Sequence, residues 1–323
     1  MNFKDILGQQ MSLKLLQKDI AAGNLPGAYL FSGPPGVGKK MAAISFAKAL
    51  NCEKNGIDGC NRCSSCIRID KLNHPNLRIV TPEGDSIRID QIRELKEEAG
   101  YKMYEKGKRV WIIDDAEKLT IEAANSLLKI LEEPPTDLTV VLVSSAAWLL
   151  PSTIVSRCRV VNFLPLKKEY IGKILMKKDN VPEKLVPLIS HLSQGSVSEA
   201  LKLLEEKTIF QEREKIIQLL KEKKLSQSIF DLSERWNNQK KSVVETLLNI
   251  TIFFLRDILI LKLDPSFPTI NQDKINELIE IKDNYSFAEL YTGIEAVENS
   301  RSLIQANVST RLVVEGMWMR IFS

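Results

Sequence analysis

At 323 residues the chain is longer than one ordinary hydrophobic core requires, so two or three domains are expected. A formal net charge of +4 is too small to mark a nucleic-acid binder by itself and equally fits an ordinary soluble protein. Met1 to Asp19 offer neither a continuous apolar core nor a small-residue cleavage site, so no secretory leader is expected. The most apolar run, Leu247 to Leu263, is broken by Arg256 and Asp257, which are costly inside a bilayer, and it reads as a buried helix of a bundle. No membrane association is expected. A cytoplasmic, reducing location follows, in which clustered thiols bind metal more readily than they form disulfides.

In chain order, Ala28 to Ser32 is the first expected strand, and it runs into the phosphate-loop string Gly33-Pro34-Pro35-Gly36-Val37-Gly38-Lys39-Lys40. A strand, such a loop and a helix beginning after Gly38 aim backbone N–H groups and a helix N-terminus at phosphates, with Lys39 as the point charge. The loop normally ends in Ser or Thr, whose hydroxyl coordinates the magnesium that bridges the nucleotide phosphates. Lys40 holds that position here, and an ammonium repels the metal. Cys52, Cys60, Cys63 and Cys66 follow, spaced C-x7-C-x2-C-x2-C. Four thiolates satisfy a tetrahedral zinc ion with no vacant position, so the expected site is a structural Zn2+ module at about 52–66. His74 is superfluous to it and reads as a loop histidine before Pro75.

Leu77 to Val80, Arg109 to Asp114, Leu138 to Ser144 and Arg159 to Phe163 complete five expected strands, apolar enough for burial on both faces of a parallel sheet. A helix is expected over about Asp90 to Ala99, with Ile89, Ile92 and Leu95 on one face. Another follows the capping residue Thr120, with Ile121, Ala124, Leu128 and Leu131 toward the sheet, and ends at Pro134-Pro135. The third strand ends in Asp114 and Asp115. Asp114 is placed to hold magnesium through water, while Asp115 stands one methylene short of the glutamate that such ATPases use to polarise attacking water. The alternative is that both aspartates only cap the strand and solvate the loop. After Leu164 strand signals stop and the pattern is helical, interrupted at Asp264-Pro265-Ser266-Phe267-Pro268.

Several strings carry a family resemblance. Phe3-Lys4-Asp5-Ile6-Leu7-Gly8-Gln9, Leu25-Pro26-Gly27-Ala28-Tyr29-Leu30-Phe31, Asn125 to Pro135 and Leu150 to Cys158 together resemble AAA+ clamp-loader subunits of bacterial DNA polymerase III. Leu303 to Leu312 is similar to that family's helical collar. The resemblance implies an α/β P-loop NTPase-like AAA+ domain with a parallel five-stranded sheet and zinc module over 1–164. A small helical lid domain over 165–207 and an all-α collar domain over 208–323 follow.

The same resemblance implies a hetero-oligomeric ring with gamma/tau and delta subunits that loads a sliding clamp onto primed DNA. Its motor subunits, gamma or tau, end the phosphate loop in Ser or Thr, carry Asp-Glu after the acidic strand, and have a sensor arginine in a Gly-Ser-x-Arg-x-Ala-Leu string. Here Lys40, Asp115 and Ser198 stand at those points, which favours the non-hydrolysing delta-prime branch. The retained glycines and Lys39 leave ATP binding open, and Lys40 argues against Mg2+. Arg157, in Ser156-Arg157-Cys158, is on structural grounds an arginine that pairs with a carboxylate. The resemblance implies instead that it is a finger reaching ATP bound by a neighbouring subunit. Two alternatives are an ATP-hydrolysing motor and a zinc-dependent nucleic-acid module. The first is opposed by Lys40 and the absent sensor arginine, the second by the lack of a basic and aromatic stripe beside the cysteines.

Overall fold

Short apolar runs separated by helical repeats fold into one parallel sheet in the computed structural model, which describes residues 2–54, 56–99, 107–178, 181–224 and 227–323. The strands are β1 (Ala28–Ser32), β2 (Leu77–Val80), β3 (Arg109–Ile113), β4 (Leu138–Ser144) and β5 (Arg159–Asn162), in the order β2-β3-β4-β1-β5. Every neighbouring pair is parallel, with Leu30 opposite both Leu142 and Val160 and Ile112 opposite Val141. Around the sheet lie α1 (Gln10–Ala22), α2 (Lys39–Leu50), α3 (Ser64–Asp70), α4 (Ile89–Ala99), α5 (Ile121–Glu132) and the one-turn α6 (Ser152–Val155).

Side chains alternate between the two faces of a strand, and that alternation divides the core. Tyr29, Phe31, Ile112, Val141 and Val143 pack with Leu13 and Leu16 of α1 and Ala43 and Phe46 of α2. Leu30, Trp111, Ile113, Val140 and Leu142 pack with Ile92 and Leu95 of α4 and Ala124 and Leu127 of α5. All of β4 is buried, as a central strand covered on both sides must be.

The expected boundaries shift slightly. β3 stops at Ile113 and β5 at Asn162, so Asp114 and Phe163 stand just past their strands, and α4 begins at Ile89. The face of α5 is corrected. Ile121 occupies its first position, beside the Thr120 cap, and is exposed, whereas Ala124 and Leu131 are buried and Leu128 half-buried as expected, joined by the buried Ala123 and Leu127.

The chain divides into two compact units, Met1–Tyr170 with Ser196–Ser198, and Ile171–Gly195 with Glu199–Ser323. Beyond the sheet it is helical: α7 (Lys168–Leu175), α8 (Val186–Leu192), α9 (Val197–Glu205), α10 (Lys207–Glu222), α11 (Gln227–Asn237), α12 (Lys241–Leu263), α13 (Ile275–Ile281), α14 (Phe287–Gln305) and α15 (Thr310–Ile321). The apolar run reads correctly as a bundle helix. In α12, Leu247, Leu248, Phe254, Leu255, Ile258 and Leu261 are buried.

Asp257 on α12 is fully buried as well. Its carboxylate accepts from the backbone N–H groups of Ile270 and Asn271 and from the Asn271 side-chain amide, at 2.8–3.1 Å. A buried charge is tolerated when hydrogen bonds surround it in this way. Among the described residues no helix is long and apolar enough to cross a membrane.

Candidate functional site

The phosphate loop connects β1 to α2, and its three glycines, Gly33, Gly36 and Gly38, all take positive φ (152°, 72° and 98°). A side chain at Gly36 is sterically impossible without rearrangement. Its Cβ would lie 2.1 Å from the Ser198 hydroxyl and 2.8 Å from the Ser198 backbone nitrogen. The reason is a direct tether, because the Val197 N–H donates to the Gly36 carbonyl at 2.9 Å. Ser196 and Ser198, whose hydroxyls are 3.1 Å apart, therefore stand over the loop at the place where a motor subunit is expected to hold its arginine.

Lys39 turns inward. Its ammonium donates to the carbonyls of Gly33 (2.5 Å) and Pro34 (2.6 Å) and to the Ser145 hydroxyl (3.3 Å). Burial lowers its pKa, opposed by the nearby carboxylates of Glu117, Asp114 and Asp115. Lys40 bonds across the site, with Nζ 2.9 Å from Asp114 Oδ2. Asp115, in a left-handed conformation at φ 51°, is engaged in an ion pair with Lys118 at 3.0 Å, which raises the Lys118 pKa. Glu117 accepts from the Ser145 N–H at 3.0 Å, fixing the exit of β4 against the turn after β3. Thus Gly33, Gly36, Gly38, Lys39, Lys40 and Asp114 meet as the sequence implies. Each of the two lysines already has partners inside the chain, and Asp115 does not join them.

Arg157 follows α6 and is 34% exposed. Its guanidinium makes a 2.6 Å ion pair with Glu132 at the end of α5 and donates to the Thr153 carbonyl (2.9 Å) and the Ser156 hydroxyl (3.4 Å). The neighbouring Cys158 is half-buried, and desolvation pushes its thiol pKa up to about 12.

The sulfurs of Cys52, Cys60, Cys63 and Cys66 all lie within 4.8 Å of one another. Zinc–sulfur bonds of about 2.3 Å place tetrahedral sulfurs about 3.8 Å apart, and the Cys60 and Cys66 sulfurs are separated by 3.9 Å. The backbone N–H groups of Cys63 and Cys66 donate to the sulfurs of Cys60 and Cys63. Cys60 is pulled down to about 6 by backbone N–H groups of Arg62 and Cys63, whereas burial pushes Cys66 up. These four residues fit a metal, which would supply the positive charge that buried thiolates otherwise lack. His74 takes no part. It is buried, with Nε2 2.9 Å from the Ser65 hydroxyl and Nδ1 accepting from the Asn76 N–H, so it bolts the first turn of α3 to the approach to β2.

A family model described as DNA polymerase III, delta subunit, matches residues 8–167, and one described as DNA polymerase III, delta subunit, C terminal, matches residues 207–321. DNA polymerase III subunit delta' of Bacillus subtilis (strain 168) is 32% identical over 311 residues, 95% of this chain and 94% of that protein. The chain belongs to the delta-prime family of DNA polymerase III subunits. DNA polymerase III subunit tau of the same organism is 28% identical over 340 residues, covering 97% of this chain but 60% of that longer protein. Among solved structures, a DNA polymerase III gamma subunit-related protein from Thermotoga maritima is 19% identical, with 95% of this chain and 97% of that one covered at a TM-score of 0.42.

Sequence reasoning overlooked some residues that organise this delta-prime site. Gln9 is buried and bonds the carbonyls of Val37 and Leu164 while accepting from the Leu164 N–H, so it ties the phosphate loop to the chain leaving β5. Ser145 and Glu117 were equally silent, because single polar residues after strands resemble ordinary loop residues. Glu132 did leave a signal. Two glutamates at a helix C-terminus oppose the helix dipole, an arrangement that calls for a cation.

Proposed function

We propose that this delta-prime chain is a non-hydrolysing subunit of the clamp loader of DNA polymerase III, acting in DNA replication and completing a neighbour's ATP site with Arg157. The carrying observation is the 2.9 Å pair between Lys40 and Asp114. The carboxylate that would serve a magnesium ion is neutralised by the chain's own ammonium, and Asp115 is paired with Lys118. Binding of ATP without turnover is compatible with this arrangement, whereas a motor-type cycle is disfavoured. The gamma/tau-type reading is accordingly second.

The division into an AAA+ domain (1–164), a lid (165–207) and a collar (208–323) belongs to the same proposal. So does a structural zinc ion on Cys52, Cys60, Cys63 and Cys66. Gamma/tau and delta subunits are the proposed ring partners, with the sliding clamp and primed DNA engaged through the complex in the cytoplasm.

The test is Arg157→Ala in reconstituted rings. A surface guanidinium adds little stability, so assembly should persist. Clamp-stimulated ATP turnover at the adjacent site should fall by up to about a thousandfold. Unchanged turnover and clamp loading in assembled rings would remove the finger role.

A further inference from the structure

Arg157 is held in place by elements that are themselves fixed. α6 is a single turn whose Ile154 is fully buried beneath it. On the other side, α5 is anchored by the buried Leu127 and Leu131. The chain after α5 is pinned too, because Pro134 packs so closely on Gly27 that a Cβ there would lie 2.2 Å from the proline ring. Glu132 therefore projects from a rigid corner. It stands in the last turn of α5, where the helix dipole disfavours an anion, next to a second exposed glutamate, Glu133. Helix stability gives no reason for a carboxylate there. What it does have is the 2.6 Å bond to the Arg157 guanidinium, whose NH1 is at the same time engaged by Thr153 and Ser156.

We infer that Glu132 is a positioning residue for Arg157, holding its guanidinium in one pose before a neighbouring subunit's nucleotide arrives. The inference rests on the finger role proposed above. A free arginine side chain has many rotamers, and confining it in advance is worth on the order of a factor of ten in the rate of a step that needs it in one place. The opposite role, a latch that keeps Arg157 from the nucleotide, does not suit the geometry. An exposed ion pair is too weak to withhold an arginine from a polyphosphate. About a third of the Arg157 side chain also stays exposed while the pair is intact (34%).

The experiment uses rings reconstituted with full-length chains, in which the ATP sites other than the one facing Arg157 are inactivated. Clamp- and primed-DNA-stimulated ATP hydrolysis is measured for wild type, Glu132→Gln, Arg157→Ala, the double variant and Glu133→Gln, with ring assembly and thermal melting followed in parallel. Glu132→Gln is expected to lower kcat about five- to tenfold at nearly unchanged KM for ATP. Adding it to Arg157→Ala should cost nothing further, and Glu133→Gln should match wild type. Turnover equal to or above wild type in Glu132→Gln overturns the inference, as does a loss that multiplies with that of Arg157→Ala. If Arg157→Ala itself leaves turnover unchanged, the finger role has failed and Glu132 has nothing to position. If only Arg157→Ala lowers turnover, the finger stands and the positioning role falls.

Discussion

Replacing Lys40 by Thr isolates the single substitution that most separates this site from a working one. A divalent ion coordinated by Asp114 would sit about 4 Å from the Lys40 ammonium, which opposes it by on the order of 8 kcal/mol at an effective dielectric of about 20. Lys40 is 43% exposed, so screening leaves about a quarter of this, on the order of 2 kcal/mol or about thirtyfold in affinity. Nucleotide binding by the wild-type chain should accordingly be indifferent to magnesium, while Lys40→Thr should gain about a thirtyfold magnesium-dependent tightening. Titration of the isolated chain with a fluorescent ATP analogue, with magnesium or with chelator, reads this directly. Steady-state phosphate release should stay negligible in the variant, because Asp115 still faces Lys118 and Ser198 still stands over Gly36. The pair is partly exposed and contributes about 0–1 kcal/mol, so the melting temperature should move by no more than about 4 °C. Magnesium-dependent binding by the unaltered chain, or motor-like turnover by the variant, would refute the assignment of Lys40 as the blocking group.

The remaining predictions concern the metal cluster and the helical unit. Protein prepared without added zinc should carry one zinc ion per chain, and Cys63→Ser should lower both zinc content and the thermal stability of the first unit; a zinc-free, fully folded wild type would refute this. Glu289 at the start of α14 bonds the Lys223 ammonium at 2.6 Å and the Ser286 N–H at 2.6 Å, which hold its carboxyl down from 4.5 to about 2. A depressed carboxyl stabilises the fold above its unfolded-state pKa and loses that contribution as pH falls through the folded value. Glu289→Gln should therefore flatten the decline in stability between about pH 4.5 and pH 2 in denaturant titrations, and an unchanged slope would show that Lys223 and Ser286 do not act on this group.

The inner strands were legible because a covered parallel strand must be apolar, and Ala28 to Ser32 and Leu138 to Ser144 could hardly be anything else; the outer two, Leu77 to Val80 and Arg159 to Asn162, form where expected but are partly exposed rather than buried on both faces. The strand order was not legible. The two edge runs, Leu77 to Val80 and Arg159 to Asn162, each mix apolar residues with exposed polar ones, so nothing in either says which of them lies beside β1. The α5 face was misread for a geometric reason. Ile121 continues the helical spacing of Ala124, Leu128 and Leu131, which do pack on the core, but it is the first residue of α5 and is exposed. The phosphate loop and the cysteine cluster were readable by spacing alone, since both are local. What escaped was the set of partners. Asp114 for Lys40, Glu132 for Arg157 and Gln9 for the loop carbonyls are 74, 25 and 28 residues distant (114 − 40, 157 − 132 and 37 − 9), and only folding brings them together.

The hydrogen bond from the Val197 N–H to the Gly36 carbonyl joins two segments of the same chain across the phosphate loop. In a motor, contact across a phosphate loop is a message that fuel has arrived, and it is withdrawn when the fuel is spent. Here the contact is written into the peptide itself. On the proposed non-hydrolysing reading, no spent fuel withdraws it. A machine assembled from moving parts needs a component against which the movement is registered, and on that reading this chain supplies one.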